Sequence, residues 1–343
     1  MSQASAPAVS VLMAVYNCER FVEEAVRSVL TQSFTDFELI IVDDGSSDGS
    51  LAILSRLAAA DPRIRLSSQP NQGIPRPANV MIGKARGRYL SLFDHDDVMV
   101  PQCLQTQVDY LEAHPECGAV GVLQRRIDPE GRPKDKRSHV SSLIQPQSRR
   151  ASNFSAFPPS VPIISNTASM VRAEAMRAIG GYREQFVFGS DSDLWFRLAE
   201  TSEIHRLNKV LVNYRLHGGN ATMARRQTVL LYDIVAHLSA MARAAGLDDA
   251  QIIGRFSGPD SYLATVEDYK RLIGASYPAE TYVLYRAVGS KLPLAVGAKD
   301  YAEVLRKAFS HAGNGAPSLA KLNLLSRTLR RAATTAFQSA ASE

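Results

Sequence analysis

Tyr89-Leu90-Ser91-Leu92-Phe93-Asp94-His95-Asp96-Asp97 joins an apolar run to a tight group of carboxylates. The run reads as a buried strand over 89–93, and the acidic group sits just past its end. Three carboxylates packed that closely repel one another and raise each other's pKa values unless a cation neutralises them. Hard carboxylate oxygens suit Mg²⁺ or Mn²⁺, ions that bridge protein carboxylates to phosphate oxygens. Taken alone, a solvated acidic loop capping a helix that begins near Pro101 accounts for the same residues. The neighbouring sequence decides between the two.

Working outward, Val9–Val15 is an apolar run that reads as a first buried strand. Over 19–32, Phe21, Ala25, Val29 and Val22, Val26, Leu30 recur at helical spacing. A second buried strand is expected over 37–42, ended by Asp43-Asp44-Gly45-Ser46-Ser47-Asp48-Gly49. A helix over Ser50–Ala60, a short strand at 64–66 and a helix over 77–85 with proline in its first turn lead back to 89–93. Alternating helices and apolar strands are the pattern of an α/β fold with a doubly wound, mostly parallel sheet. Ligands of such sheets bind outside the carboxyl ends of the strands. Tyr16-Asn17, Asp43-Asp44 and residues 94–97 all fall at such ends. Random acidic loops have no reason to share one edge, which favours a metal–phosphate site.

Farther along, a helix is expected over 101–113, a strand at 119–123 and a long polar loop over 128–157. A strand at 165–171 and a helix at 173–179, closed by Gly180-Gly181, follow. Residues 191–199 begin another helix, and 210–216 form a strand ending at His217-Gly218-Gly219. From about Gln227 the pattern is helical, with breaks at Gly246, Gly258-Pro259 and 313–317.

The chain has 343 residues, 45% of them hydrophobic and 21% charged, with a formal charge of +5. That is ordinary for a globular protein and large enough for one big domain or two. The modest positive charge fits anionic ligands or an acidic membrane surface, and no nucleic-acid motif accompanies it. Cys18, Cys103 and Cys117 form no Cys-x-x-Cys pair, so a reducing compartment is expected. No signal peptide is read at the N-terminus, and no apolar run approaches the ~20 residues that span a bilayer. A cytoplasmic protein, peripheral on the inner face of the cell membrane at most, is the expectation.

Six blocks, in order, resemble the family 2 inverting glycosyltransferases of GT-A fold. They are residues 9–17, residues 37–48, Asn71-Gln72-Gly73-Ile74-Pro75-Arg76, Phe93-Asp94-His95-Asp96-Asp97, Asp191-Ser192-Asp193-Leu194-Trp195-Phe196-Arg197-Leu198 and Tyr214-Arg215-Leu216-His217-Gly218-Gly219-Asn220. The resemblance covers roughly the first two-thirds of the chain. It implies a glycosyltransferase domain over 1–225, with a nucleotide-binding half at 1–120 and an acceptor and catalytic half at 121–225. Residues 226–343 would be an appended C-terminal helical region.

The resemblance also implies roles. Asp43 or Asp44 would accept a hydrogen bond from the base of a nucleoside diphosphate while Tyr16 packs on it. A carboxylate only accepts, which fits the imide N–H of uracil or thymine and hence a UDP- or dTDP-sugar. The alternative is a tight turn capping the next helix, a role that suits Asp48. Gly73 would let the backbone approach the nucleotide, and Arg76 would neutralise phosphate or stay solvated. In the Asp-x-Asp element, Asp96 would ligate Mn²⁺ or Mg²⁺. Asp94 would contact the ribose or the ion's water shell, Asp97 would anchor the loop, and His95 would be incidental. His217 would be the second metal ligand, from far along the chain.

Asp191 would be the catalytic base, taking the proton of an attacking acceptor hydroxyl; Asp193 is the alternative base, though it suits a structural place in the first helical turn. The sequence departs from the family pattern at Ser190, where an acidic residue is usual, and at Ala78, where many relatives carry arginine. Trp195 suits the core. Arg225-Arg226 would close over the diphosphate or simply be exposed. Leu322, Leu325 and Leu329, opposite Arg327, Arg330 and Arg331, would lie on an anionic membrane or pack on the protein's own helices. The acceptor would be a glycan or lipid-linked, in surface polysaccharide or glycolipid synthesis. A non-catalytic sugar-nucleotide binder within an assembly complex is the rival reading, and turnover separates the two. A receiver-like phosphoacceptor domain has no use for residues 94–97, Asp191 and His217.

Overall fold

The computed structural model describes residues 6–134, 164–220 and 225–273. These form two compact units, the first running to Arg226 and the second starting at Gln227.

In the first unit, β1 (Val9–Val15), β2 (Phe37–Asp43), β3 (Ile64–Ser68) and β4 (Tyr89–Leu92) pair in parallel, with α1 (Val22–Leu30), α2 (Ser50–Ala60) and α3 (Pro75–Lys84) between them. Every residue of β2 is buried, as a strand covered on both faces requires. Its side chains alternate between two cores. Phe37, Leu39 and Ile41 join Val22, Val26 and Val29 of α1, while Ile40 and Val42 join Met81 and Ile82 of α3. Burying each such side chain contributes roughly 1.5–3 kcal/mol, so this alternation fixes the register of the central strands.

The sheet continues as β5 (Val98–Met99), β6 (Cys117–Ile127), β7 (Ser169–Arg172) and β8 (Glu203–Arg215), with α4 (Cys103–Ala113), α5 (Ala173–Ala178) and α6 (Ser190–Ala199). The strand order is β3-β2-β1-β4-β7-β6-β8-β5. β7 runs antiparallel to both β4 and β6, and β5 antiparallel to β8, so only the first half of the sheet is uniformly parallel. Between β4 and β5 the chain passes from the middle of the sheet to its edge. Residues 93–97 make that passage, which sets the acidic loop beside the end of β8.

Several elements differ from expectation; the strand expected at 119–123 runs over Cys117–Ile127. β7 starts later than 165 because Ala168 takes a positive φ of 55° and Ser169 N–H donates back to the carbonyl of Asn166. β8 extends far upstream of 210 through polar, partly exposed residues, and β5 is too short to leave a pattern. The expected loop at 128–157 lies outside the described residues beyond Lys134.

The second unit contains α7 (Arg226–Ala244), α8 (Ala250–Arg255) and α9 (Tyr262–Ile273). The breaks at Gly246 and Gly258 both carry positive φ. Asp249 links these helices, its Oδ2 accepting from Tyr269 at 3.1 Å and from Ser239, with Arg243 alongside. Tyr232 packs edge-on against Phe256 at 5.0 Å. Among the described residues no helix is long and apolar enough to cross a membrane. The 313–317 break and the face built on Leu322, Leu325 and Leu329 lie outside the described residues.

Candidate functional site

At the ends of β1 and β2, the loops interlock. Asn17 takes a positive φ of 48°, its Oδ1 accepts from the Ser47 N–H at 2.8 Å, and its own N–H donates to Ser46 Oγ. Asp48 Oδ1 accepts from Ser50 N–H at the start of α2. Asp43 is buried, receiving Ser68 Oγ at 2.8 Å. Asp44 accepts Gln69 Nε2 and the backbone N–H groups of Gln72 and Gly73 at 2.8–3.1 Å. Both carboxylates thus fold the 68–73 segment over the strand ends. Gly45 makes this possible: a Cβ there would sit 2.8 Å from the Asn71 nitrogen. Gly73 has a φ of 79° that only glycine adopts without strain. Tyr16 projects beside them, 48% exposed.

The acidic loop is tied down at each residue. His95 Nδ1 bonds the Ala14 carbonyl at 2.8 Å, which ties the loop to β1. Asp97 Oδ1 accepts the backbone N–H of Arg215 at 2.8 Å, and Asp94 N–H reaches Thr167 Oγ1. Arg215 is 1% exposed; its Nε donates to the Asp96 carbonyl and its Nη2 to Glu24, and its guanidinium lies over Phe21. Asp96 Oδ2 faces His217 Nε2 at 2.8 Å across 121 residues of sequence. The His217 ring packs on Phe21 at 4.8 Å, and its Nδ1 lies 3.2 Å from the Gly219 nitrogen.

Asp191 lies in the first turn of α6, which Gly189 enters in the left-handed conformation. Burial pushes its carboxyl above the ordinary range, against the pull of the Ser192 N–H. Asp94 is pushed to about 7 by burial and then by the charges of Asp96 and Asp191. Asp97 is driven well up by burial, Asp94 and Asp96. Tyr182, whose hydroxyl donates to Asn166, feels both Asp191 and Asp94. These residues therefore share one electrostatic environment.

Asp193, by contrast, is fully buried and bonded to Arg197 at 2.8 Å. Trp195 is buried in the core beside Leu194 and Leu198. Arg76 pairs with Glu184 at 2.9 Å on the surface, and Ala78 packs against the core. Arg225 stacks over Phe188, just before α6.

The donor set suits a hard divalent cation. Neighbouring ligands of an octahedral ion at its usual bond lengths lie about 3 Å apart, close to the Asp96–His217 separation. Burial first, and then the charges of neighbouring carboxylates, raise both Asp94 and Asp97. A second set of potential ligands, Glu116, Glu203 and His205, lies at the opposite end of β8. There His205 is already satisfied by Glu203 at 2.9 Å and the Tyr110 hydroxyl at 2.8 Å.

Sequence reasoning did not assign Arg215, Asn220, Asn166, Tyr182 or Phe21. The first two stand inside the Tyr214–Asn220 block and were there to be read, but Phe21 looked like any apolar helix residue.

Residues 10–180 match the family model described as Glycosyl transferase family 2. The chain is 28% identical over 222 residues to a chondroitin synthase of Pasteurella multocida, covering 65% of this chain but 22% of that protein. It is 34% identical over 200 residues to a Bacillus subtilis protein named "Putative glycosyltransferase EpsE", covering 57% of this chain and 68% of EpsE. In fold it resembles S. aureus TarS 1-349 in complex with UDP-GlcNAc, with a TM-score of 0.59, 15% identity, and coverage of 88% and 91%. It also resembles the mannosyltransferase PcManGT from Pyrobaculum calidifontis in complex with GDP-Man and Mn²⁺, with a TM-score of 0.54, 18% identity, and coverage of 96% and 85%.

Proposed function

Because the chain belongs to glycosyl transferase family 2, with a GT-A-type fold, we propose that it moves a sugar from a UDP- or dTDP-sugar to an acceptor hydroxyl with inversion. The observation that carries this reading is the approach of Asp96 to His217 beside Asp94 and Asp191, at the edge where the parallel strands end.

Residues 1–225 act as the transferase domain, nucleotide over 1–120 and acceptor chemistry over 121–225, with 226–343 as a helical appendage. Tyr16 packs on the base. Asp43 takes the imide N–H more readily than Asp44, whose oxygens already hold three N–H groups. Gly73 carries the backbone close to the nucleotide, and Asp94 contacts the ribose. Arg76 reaches phosphate by exchanging Glu184; an exposed pair of that kind is worth about 0.2–1 kcal/mol, so the exchange costs little. Asp96 and His217 hold Mn²⁺ or Mg²⁺, which when bound supplies Lewis-acid stabilisation of the departing diphosphate. Asp191 accepts the acceptor's proton as the hydroxyl oxygen bonds the anomeric carbon and the bond to the diphosphate breaks with its electron pair. Burial makes Asp191 a stronger base than an exposed aspartate.

The names of its relatives, chondroitin synthases among them, support a role in surface polysaccharide or glycolipid synthesis. Thermal shift with UDP, dTDP and GDP, each with and without Mn²⁺, tests the reading. Stabilisation by UDP or dTDP that requires Mn²⁺ is expected. Preference for GDP overturns the base assignment, and stabilisation indifferent to metal overturns the cation.

A further inference from the structure

We propose that Asn220 is a positioning residue for the cation site, its side-chain amide holding Asp96 and His217 in the arrangement that turns Oδ2 toward Nε2. This rests on the reading that Asp96 and His217 hold the cation.

Asn220 is buried, and each polar atom of its amide is committed. Oδ1 accepts the His217 backbone N–H at 2.6 Å; Nδ2 donates to the Arg215 carbonyl at 3.1 Å and to Asp96 Oδ2 at 3.2 Å. Turning the amide over would set an oxygen against two acceptors and an NH₂ against a donor, so the orientation is fixed by its partners. Two of the bonds close the turn from Arg215 to Asn220, and that turn needs nothing more. The third crosses 124 residues of sequence to the same carboxylate oxygen that His217 faces.

An aspartate side chain has two free torsions, and either of its oxygens can turn toward a neighbour. Arg215 fixes the Asp96 backbone through its carbonyl; of the two groups that reach Oδ2, His217 must turn its Nε2 to the ion, which leaves a separate donor to fix the carboxylate plane. Asn220 supplies that donor while its other end sets the height of the His217 backbone. The two ligands are thereby spaced before any ion arrives. Partners that orient ligands in this way typically change metal affinity 10–100-fold when removed.

The test is Mn²⁺ titration, followed by electron paramagnetic resonance of the free ion, with whichever of UDP, dTDP and GDP the wild type binds most tightly. Asn220→Ala is expected to bind Mn²⁺ roughly 10–100-fold more weakly. Turnover at saturating Mn²⁺ should stay within about two-fold of wild type, since ligand spacing and not chemistry is lost. Asn220→Ser keeps an oxygen for the turn but is too short for Asp96, and should weaken Mn²⁺ likewise. A folded variant with wild-type Mn²⁺ affinity, or with lower turnover at unchanged affinity, overturns the proposal. Failure of both variants to fold overturns it too, assigning Asn220 to the turn alone. A wild-type protein that binds no Mn²⁺ overturns instead the cation reading beneath it.

Discussion

Arg197 closes on Asp193 at 2.8 Å, one helical turn along α6, and also donates to the carbonyls of Ile179 and Gly181. That bond gives Asp193 a structural place in the helix, and under the proposed function Asp191, whose charge helps raise Asp94, is the base. Asp191→Asn should therefore lower turnover about 10²–10⁴-fold, the usual contribution of a general base, with little change in melting temperature. Asp193→Asn should do the reverse, lowering stability by about 3 kcal/mol because the buried Arg197 guanidinium loses the carboxylate that balances its charge. Steady-state kinetics and thermal melts of the two variants separate them, and equal effects on both readouts would refute the assignment.

Chelation with EDTA should abolish transfer, and Mn²⁺ should restore it. Asp96→Asn and His217→Ala should each weaken Mn²⁺ binding on the order of 10²-fold or more. Because the pair acts as a unit, the double variant should be scarcely worse than either single one. Calorimetric titration of the three proteins measures this directly, and additive losses would count against a shared ion.

Glu38 is a buried carboxylate on β2 that receives Ser10, Arg65 and both the backbone and side chain of Arg86. Burial alone would raise its pKa, yet these donors bring it below the ordinary range. Glu38→Ala should cost about 1–3 kcal/mol, read as a lower denaturant midpoint, because it takes the acceptor from the buried Ser10 hydroxyl and the Arg86 backbone N–H. Turnover of the folded fraction should be unchanged, since Glu38 sits at the far end of β2 from Asp43.

In the second unit, burial pushes His237 down to about 3. The unfolded chain then binds a proton that the folded one does not between that value and an ordinary histidine pKa near 6.5. Stability is full above about pH 6.5 and falls as pH drops through this window. Between pH 7 and pH 5 the loss should reach about 2 kcal/mol, and His237→Gln should flatten the slope. Urea melts at the two pH values decide it.

The central strands were legible because they are buried on both faces. Val9–Val15 and the run ending at Asp43 are apolar but for Ser10 and Glu38, and the ends of these strands and of Tyr89–Leu92 placed Tyr16, Asp43, Asp44 and Asp94 on one edge. β8 was only half legible, since residues such as Asn208 and Lys209 face solvent and leave no alternation. The partners of Asp44 and Arg76 were not legible at all. Gln69, Gln72 and Glu184 reach them across loops whose course depends on turn geometry rather than pattern. Asn220 stood in a recognised block, but its bond to Asp96 exists only once both ends of the first unit meet.

That meeting has a consequence for the order of events during synthesis. Asp94, Asp96 and Asp97 leave the ribosome long before Arg215 and His217. At typical elongation rates, 121 residues take roughly 6–24 s. Through that interval the nascent chain carries a knot of like charge with neither its arginine clamp nor its histidine. Under the proposed function, a half-made protein has no place to capture nucleotide and cation, and binding arrives late, after the last strand of the sheet.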